Sequence, residues 1–268
     1  MDTLIFGDGH LGRAIASELV ARGEPAPTIR GRPGRTGHDP ADLPAAEVVF
    51  EASRGEAVLG NVAAAIVAGC RRFVIATTAW EATTANVEAL LVQARASAVA
   101  AANLSLGVAL FGRLVEHATA LFGELDDVDP YVLEWHRRSK ADRPSGTAGD
   151  LARRILAIHP RKQRLADPQS GRPPAADELE LAVLRAGASP GMHLVGFDAP
   201  GETVELRLTA RDRSAYAAGA LAAADWLMAE PRTPGIHLFD EVVDDRLAGS
   251  AGGSIERSAA ILATAGGG

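Results

Sequence analysis

Apolar residues along the chain follow two rhythms. Thr3-Leu4-Ile5-Phe6 is a short apolar run that stops at Gly7, and from Arg13 to Arg22 apolar positions recur at helical spacing. This reads as strand, glycine turn, helix. Further short runs at Pro27-Thr28-Ile29, Glu47-Val48-Val49-Phe50 and Arg72-Phe73-Val74-Ile75-Ala76 predict three more strands, with a helix from Glu56 to Ala68 between the last two. Strands alternating with helices form a parallel, doubly wound sheet, because each parallel pairing needs a crossover.

From about Asn103 the pattern changes. A helix through Gly112 to Phe122, a strand at Tyr131-Val132-Leu133-Glu134, a polar loop and a helix from Gly146 to Ile158 follow one another. Pro168 to Pro174 reads as a loop. Glu178 to Arg185 and His193 to Phe197 are extended runs, and Thr203-Val204-Glu205-Leu206-Arg207-Leu208-Thr209 alternates with period two, as a half-buried antiparallel strand does. Tyr216 to Met228 is a helix, and Leu238 to Leu247 returns to the first domain. The expected organisation is therefore a nucleotide domain of residues 1–107 and 214–248. Into it is inserted an α+β domain, 108–213, built on a mixed or antiparallel sheet. The Ala/Gly/Ser-rich tail, 249–268, has no assigned role.

Composition narrows the function classes. A formal net charge of −7 argues against a nucleic-acid binder, which needs clustered excess Lys and Arg. Any anion must be met locally. Cys70 is the single cysteine, so no intrachain disulfide or cysteine-rich zinc site is expected, no metal is required, and a reducing cytoplasm fits. The first residues carry no basic region and Gly7-Asp8 breaks the apolar stretch early, so neither a signal segment nor a membrane span is expected.

Gly7-x-Gly9-x-x-Gly12 has the spacing of the dinucleotide turn of a Rossmann-like domain. Gly7 permits the turn, Gly9 lets the backbone approach a pyrophosphate, and Gly12 lets helix and strand pack closely. The whole turn, Gly7, Gly9, His10, Leu11 and Gly12, is the candidate coenzyme loop. Coenzyme choice belongs at the end of the second strand, where the chain reads Arg30-Gly31-Arg32-Pro33-Gly34-Arg35. Arginines without an acid favour a 2′-phosphate, so NADPH is expected, with NADH possible and Arg30 and Arg32 as contacts.

The segment Glu134-Trp135-His136-Arg137-Arg138-Ser139-Lys140-Ala141-Asp142-Arg143-Pro144-Ser145-Gly146-Thr147-Ala148 carries the substrate chemistry. Its end opens a helix, where free N–H groups and hydroxyls suit a carboxylate. Upstream, His136, Arg137, Arg138 and Lys140 supply cations in an acidic protein. A small anionic substrate is expected. By contrast the isolated side chains of His10, His38, His117, His159 and His237 are read as structural or surface groups, Trp135 as a pocket wall, and Asp142 as a loop brace.

Glu-x-His-x-x-x-Lys-x-Asp-x-Pro-Ser-Gly-Thr-Ala resembles the signature of the dihydrodipicolinate (4-hydroxy-tetrahydrodipicolinate) reductases. Val48-Val49-Phe50-Glu51-Ala52-Ser53 looks like that family's third-strand segment, Ala76-Thr77-Thr78-Ala79 like its nicotinamide loop, and Ala102-Asn103-Leu104-Ser105-Leu106-Gly107 like its hinge. Gly191-Met192-His193 and Arg213 with Ala217-x-Gly219-Ala220 are also similar. The resemblance implies NAD(P)H-dependent reduction of a cyclic dicarboxylate imine in lysine and diaminopimelate biosynthesis, by a homotetramer in which the inserted domain, 108–213, serves substrate binding and oligomerisation. Carried over by position, it makes Lys140 the proton donor, His136 the group that polarises and orients substrate, and Arg137, Ser145, Gly146 and Thr147 substrate contacts. Ser53, Thr77, Thr78 and Asn103 join the coenzyme contacts. Hydride addition to an imine carbon leaves charge on nitrogen, which a positioned ammonium can protonate.

Several positions depart from the family pattern. Arg137 stands where a second His is usual, Ala76 and Ala79 replace glycines around the threonines, Ala52-Ser53-Arg54-Gly55 replaces Phe-Thr-x-Pro, and Leu206-Arg207-Leu208 replaces a Thr-His stretch. A diverged paralogue acting on a related cyclic imine or pyridine-like dicarboxylate is a second reading. A nucleotide-binding protein without turnover is a third, against which the retained His136 and Lys140 argue.

Overall fold

In the computed structural model, which describes residues 1–31 and 38–249, the chain divides into two compact units. Among the described residues, one comprises Met1–Leu106 with residues 216–249, the other Gly107–Ala215.

The first unit is built on a six-stranded, all-parallel sheet. Its strands are β1 (Thr3–Phe6), β2 (Thr28–Arg30), β3 (Val48–Glu51), β4 (Arg72–Ile75), β5 (Ser97–Ala100) and β11 (Gly235–Leu238), ordered β11-β5-β4-β3-β1-β2. Every residue of β1 and β3 is buried. That is why they are continuous apolar runs: a parallel strand covered on both faces has no solvent side to mark with polar residues. Helices α1 (His10–Ala21), α2 (Val58–Val67) and α3 (Thr84–Ala94) make the crossovers, while α6 (Ser214–Ala229) and a last helix, residues 239–249, follow the return into this unit. The core joins Leu4, Phe6, Val49, Phe73, Ile75, Val87 and Leu91. This is the expected Rossmann-like α/β architecture.

The second unit carries a mixed sheet of β6 (Asp129–His136), β7 (Arg164–Leu165), β8 (Glu178–Arg185), β9 (Met192–Ala199) and β10 (Glu202–Thr209), ordered β10-β9-β6-β8-β7. β9 runs antiparallel to both its neighbours, and β6, β8 and β7 are mutually parallel. Helices α4 (Leu106–Gly123) and α5 (Gly146–Ile158) cover one face. Phe111 and Val115 of α4 and Leu151, Ala152 and Ile155 of α5 pack there against Val132, Leu179, Val195 and Phe197. Alternation along β6 therefore sends Val132, Glu134 and His136 to the helix side, and Tyr131, Leu133 and Trp135 to the uncovered face. α5 starts where the sequence places it because Ser145 caps it, accepting a hydrogen bond from the Ala148 N–H.

A buried carboxylate and two histidines beneath the helix-capping turn

The strand expected to end at Glu134 continues to His136. His136 is thus a strand residue rather than a loop residue, and it is buried along with Glu134. Glu134 faces His193 across the β6–β9 register. Its carboxylate is fully buried and is the point where three segments meet. Oε1 accepts from the Ser145 backbone N–H at 3.0 Å and from Nη2 of Arg185 at 2.6 Å, and the same Nη2 donates to the Asp142 carbonyl at 2.6 Å. One strand, the capping turn of α5 and the end of β8 are thereby fixed to one another. Burial opposes ionisation of Glu134, but the hydrogen bonds from Ser145 and Arg185 prevail and hold it below the usual carboxylate range.

His136 lies with Nε2 3.7 Å from Glu134 Oε2, and its ring meets that of His193 edge-on, with centroids 5.3 Å apart. Burial pushes the pKa of His136 down and outweighs the opposing pull of Glu134. Burial likewise drives His193 down, to about 4, with His136 adding to the shift. Both rings are thus biased toward neutral imidazoles. Lys140 turns its Nζ onto Asp142, 2.7 Å from Oδ1 and 2.8 Å from Oδ2, so the brace expected of Asp142 acts on that lysine. Arg137 and Arg138 are exposed. Among the sequence-predicted substrate contacts, Ser145 is buried at the cap, Thr147 is half-buried and Gly146 is exposed at the first position of α5.

In the first unit Gly7 adopts φ +108°, and a Cβ there would stand 2.3 Å from the Ala52 carbonyl oxygen; at Gly12 a Cβ would fall 2.0 Å from the Gly7 carbonyl oxygen. Protein geometry alone demands these two glycines. Gly9 is different, since nothing lies within 4 Å of its added Cβ. α1 has neither a side-chain cap nor an acidic residue in its first turn, so exposed His10 and half-buried Leu11 open a helix whose N–H end suits phosphate. These residues fit a dinucleotide. Arg30 donates from Nη2 to the Asp42 carbonyl at 2.8 Å. Arg32 and Arg35 lie outside the described residues.

The hydroxyls of Ser53 and Thr77 are both directed at Glu51, a fully buried carboxylate at the end of β3. It also accepts from the Ser53 N–H at 2.9 Å and from Asn61 Nδ2 at 2.8 Å. Burial raises the pKa of Glu51 against these hydrogen bonds. Thr78 is exposed, and Asn103 accepts from the Ser105 N–H at 2.9 Å, closing its own turn. Ala79, where a glycine was expected from the resemblance, adopts φ 61°. Arg185 is the functional candidate that sequence reasoning missed, while Glu51, Glu134 and His193 stood in the quoted segments without an assigned role.

The parallel sheet opened by a glycine turn, with a mixed sheet appended, defines a chain of the Rossmann-like dinucleotide-fold class. The C-terminal family model of dihydrodipicolinate reductase matches residues 107–243. A 4-hydroxy-tetrahydrodipicolinate reductase from Rhodopseudomonas palustris is 35% identical over 248 residues, 87% of this chain and 88% of the relative. One from Methanoregula boonei is 35% identical over 170 residues, 63% of this chain, and one from Rhodopirellula baltica is 35% identical over 150; these matches span 64% and 51% of the relatives' own lengths. The chain belongs to the dihydrodipicolinate reductase family. Its fold is shared with a dipicolinate-bound dihydrodipicolinate reductase from Paenisporosarcina sp. TG-14, at a TM-score of 0.65 and 18% identity, over 89% of this chain and 97% of the other.

Proposed function

We propose that this chain reduces 4-hydroxy-tetrahydrodipicolinate, or its dehydrated form, to tetrahydrodipicolinate in lysine and diaminopimelate biosynthesis, using NADPH in preference to NADH. The observation that carries the reading is the Glu134 carboxylate, which orders the Ser145–Thr147 turn next to His136 and close in sequence to Lys140. A bound nicotinamide coenzyme supplies the hydride. The chain's own groups do the rest. The N-terminus of α1 takes the pyrophosphate, with Gly9 allowing close approach, and Arg30 with Arg32 takes the 2′-phosphate. The N–H groups and hydroxyls at Ser145, Gly146 and Thr147 hold one substrate carboxylate, and exposed Arg137 lies within the same loop for the other. Neutral His136 orients the substrate by hydrogen bonding, and Lys140, steadied by Asp142, delivers the proton to the ring nitrogen.

Assembly as a homotetramer in the cytoplasm is part of the reading. The helix-free face of the mixed sheet supports assembly, since Leu133 and Trp135 are only half-buried there and Leu184 is exposed. The test is loss of reduced-nicotinamide absorbance by the purified chain with freshly generated substrate, alongside light scattering for the mass. Turnover that pyridine-2,6-dicarboxylate inhibits is expected. Coenzyme oxidation with other cyclic imines only would favour the paralogue reading, and coenzyme binding without any turnover would favour a non-catalytic protein.

A further inference from the structure

Six side-chain nitrogen and oxygen atoms among the described residues of the second unit are buried with no hydrogen-bonding partner: Nε2 of His159, Nε of Arg185, and four that cluster, namely Oε2 of Glu134, both ring nitrogens of His136 and Nδ1 of His193. Buried polar atoms are rarely left so, because each has given up water for nothing. The four clustered atoms belong to three side chains, each offering a ligand atom within 4.8 Å of the others'. From this geometry we infer that Glu134, His136 and His193 form a binding site for a divalent transition-metal ion of the zinc type. Such an ion would remove His136 from the reduction, a consequence that rests on the reading above.

The donor set is two imidazoles and one carboxylate, a combination suited to zinc and its neighbours in the first transition row, with the remaining position left for water. The fold brings the donors to one face of the sheet. Glu134 and His136 are two residues apart on one strand and so share a face, and His193 is the register partner of Glu134 on the next strand. Tetrahedral zinc with bonds of about 2.0–2.1 Å sets neighbouring donor atoms about 3.4 Å apart. Glu134 Oε2 and His136 Nε2 are 3.7 Å apart and all three donors lie within 4.8 Å of one another, so side-chain rotation has to draw them in to that spacing. The outer layer is already built. The Ser145 N–H and Arg185 both occupy Oε1 of Glu134, which fixes the carboxylate and leaves Oε2 as its free donor.

Tag-free full-length protein, stripped with a chelator, would be titrated with Co2+ and the visible absorption of the bound ion followed, after which Zn2+ would be added to displace it. One Co2+ per chain, displaced by Zn2+, is expected in the parent, and a dissociation constant at least tenfold weaker in His193→Ala and in the volume-conserving His193→Gln, each checked for native circular dichroism. Absence of the band, or equal affinity in parent and variants, overturns the site and leaves the buried atoms to be bridged by water. Co2+ binding by a chain whose metal-free form shows no reductase turnover would sink the functional reading alone. Turnover in a chain that binds no Co2+ would sink this inference alone.

Discussion

Replacing Arg185 by Met keeps most of the side-chain stem and removes one charge from the Glu134 network. In the parent, Nη2 of Arg185 makes two hydrogen bonds of 2.6 Å, to Glu134 Oε1 and to the Asp142 carbonyl, and the Glu134 side chain is fully buried. Deleting one partner of a buried pair costs about 3–5 kcal/mol, because the survivor is left charged and uncompensated. Here the Ser145 N–H still reaches Glu134, so the lower end, about 3 kcal/mol, is expected. With a urea m-value of about 1–3 kcal/mol/M, that moves the unfolding midpoint by at least about 1 M. Trp135 adjoins Glu134 and is the only tryptophan of its unit, so Trp80→Phe/Trp226→Phe protein gives fluorescence that reports on this unit. Glu134→Leu combined with Arg185→Met removes both charges and should be less damaging than the two single changes added together, by about 2–3 kcal/mol. A loss under 1 kcal/mol in Arg185→Met, or strict additivity in the double variant, would refute the idea that this pair clamps the capping turn.

Lys140→Ala should lower kcat by about two to four orders of magnitude with little change in coenzyme affinity, as loss of a positioned acid does; parent-like turnover rules it out as donor. Replacing Arg30 and Arg32 together should weaken NADPH far more than NADH, and titration of both coenzymes would expose an unchanged ratio. Gly9→Ala should fold like the parent but bind coenzyme weakly, whereas Gly12→Ala should also lose thermal stability, because only there would the new methyl strike the Gly7 carbonyl; equal melting points would contradict this. Glu178, held down at about 2 chiefly by Arg172, is ionised in the fold well below the pH at which it protonates when unfolded. Its contribution is therefore complete above about pH 4.5 and fades as pH falls toward 2. The stability gap between parent and Glu178→Gln should shrink over that window, and a gap independent of pH would count against the Arg172 pairing.

Much of this molecule was legible because local chemistry and global fold agree. β1 with its glycine turn, α5 with its Ser145 cap, and β8 fall where their residues place them, since burial on two faces, capping and turn geometry are all local signals. β5 went unnoticed: Ser97-Ala98-Val99-Ala100 has little intrinsic preference for a strand and becomes one by pairing with β4 and β11 on either side. α3 and β11 were missed beside it. Trp135 and polar His136 read as the start of a loop, yet pairing with β8 and β9 carries the strand through them. The motif singled out His136 and Lys140, but Arg185 and His193 approach from strands about fifty residues downstream, and spacing cannot report which side chains register across a sheet brings together.

Glu51 has a consequence for attempts to change the coenzyme. Its carboxylate takes hydroxyls from the turn after β3 and the turn after β4, and a Cβ on Gly55 would lie only 1.9 Å from the Ala79 carbonyl oxygen, so the two turns also meet backbone to backbone. They are one part, not two. A graft that imports either turn alone from a relative with a different acid or a different residue at 79 would leave hydroxyls pointing at nothing and main chains in collision. The exchangeable cassette is residues 51–55, Asn61 and 77–79 moved together, and engineering that treats the turns as independent modules should fail at the level of folding before any change in coenzyme preference can be measured.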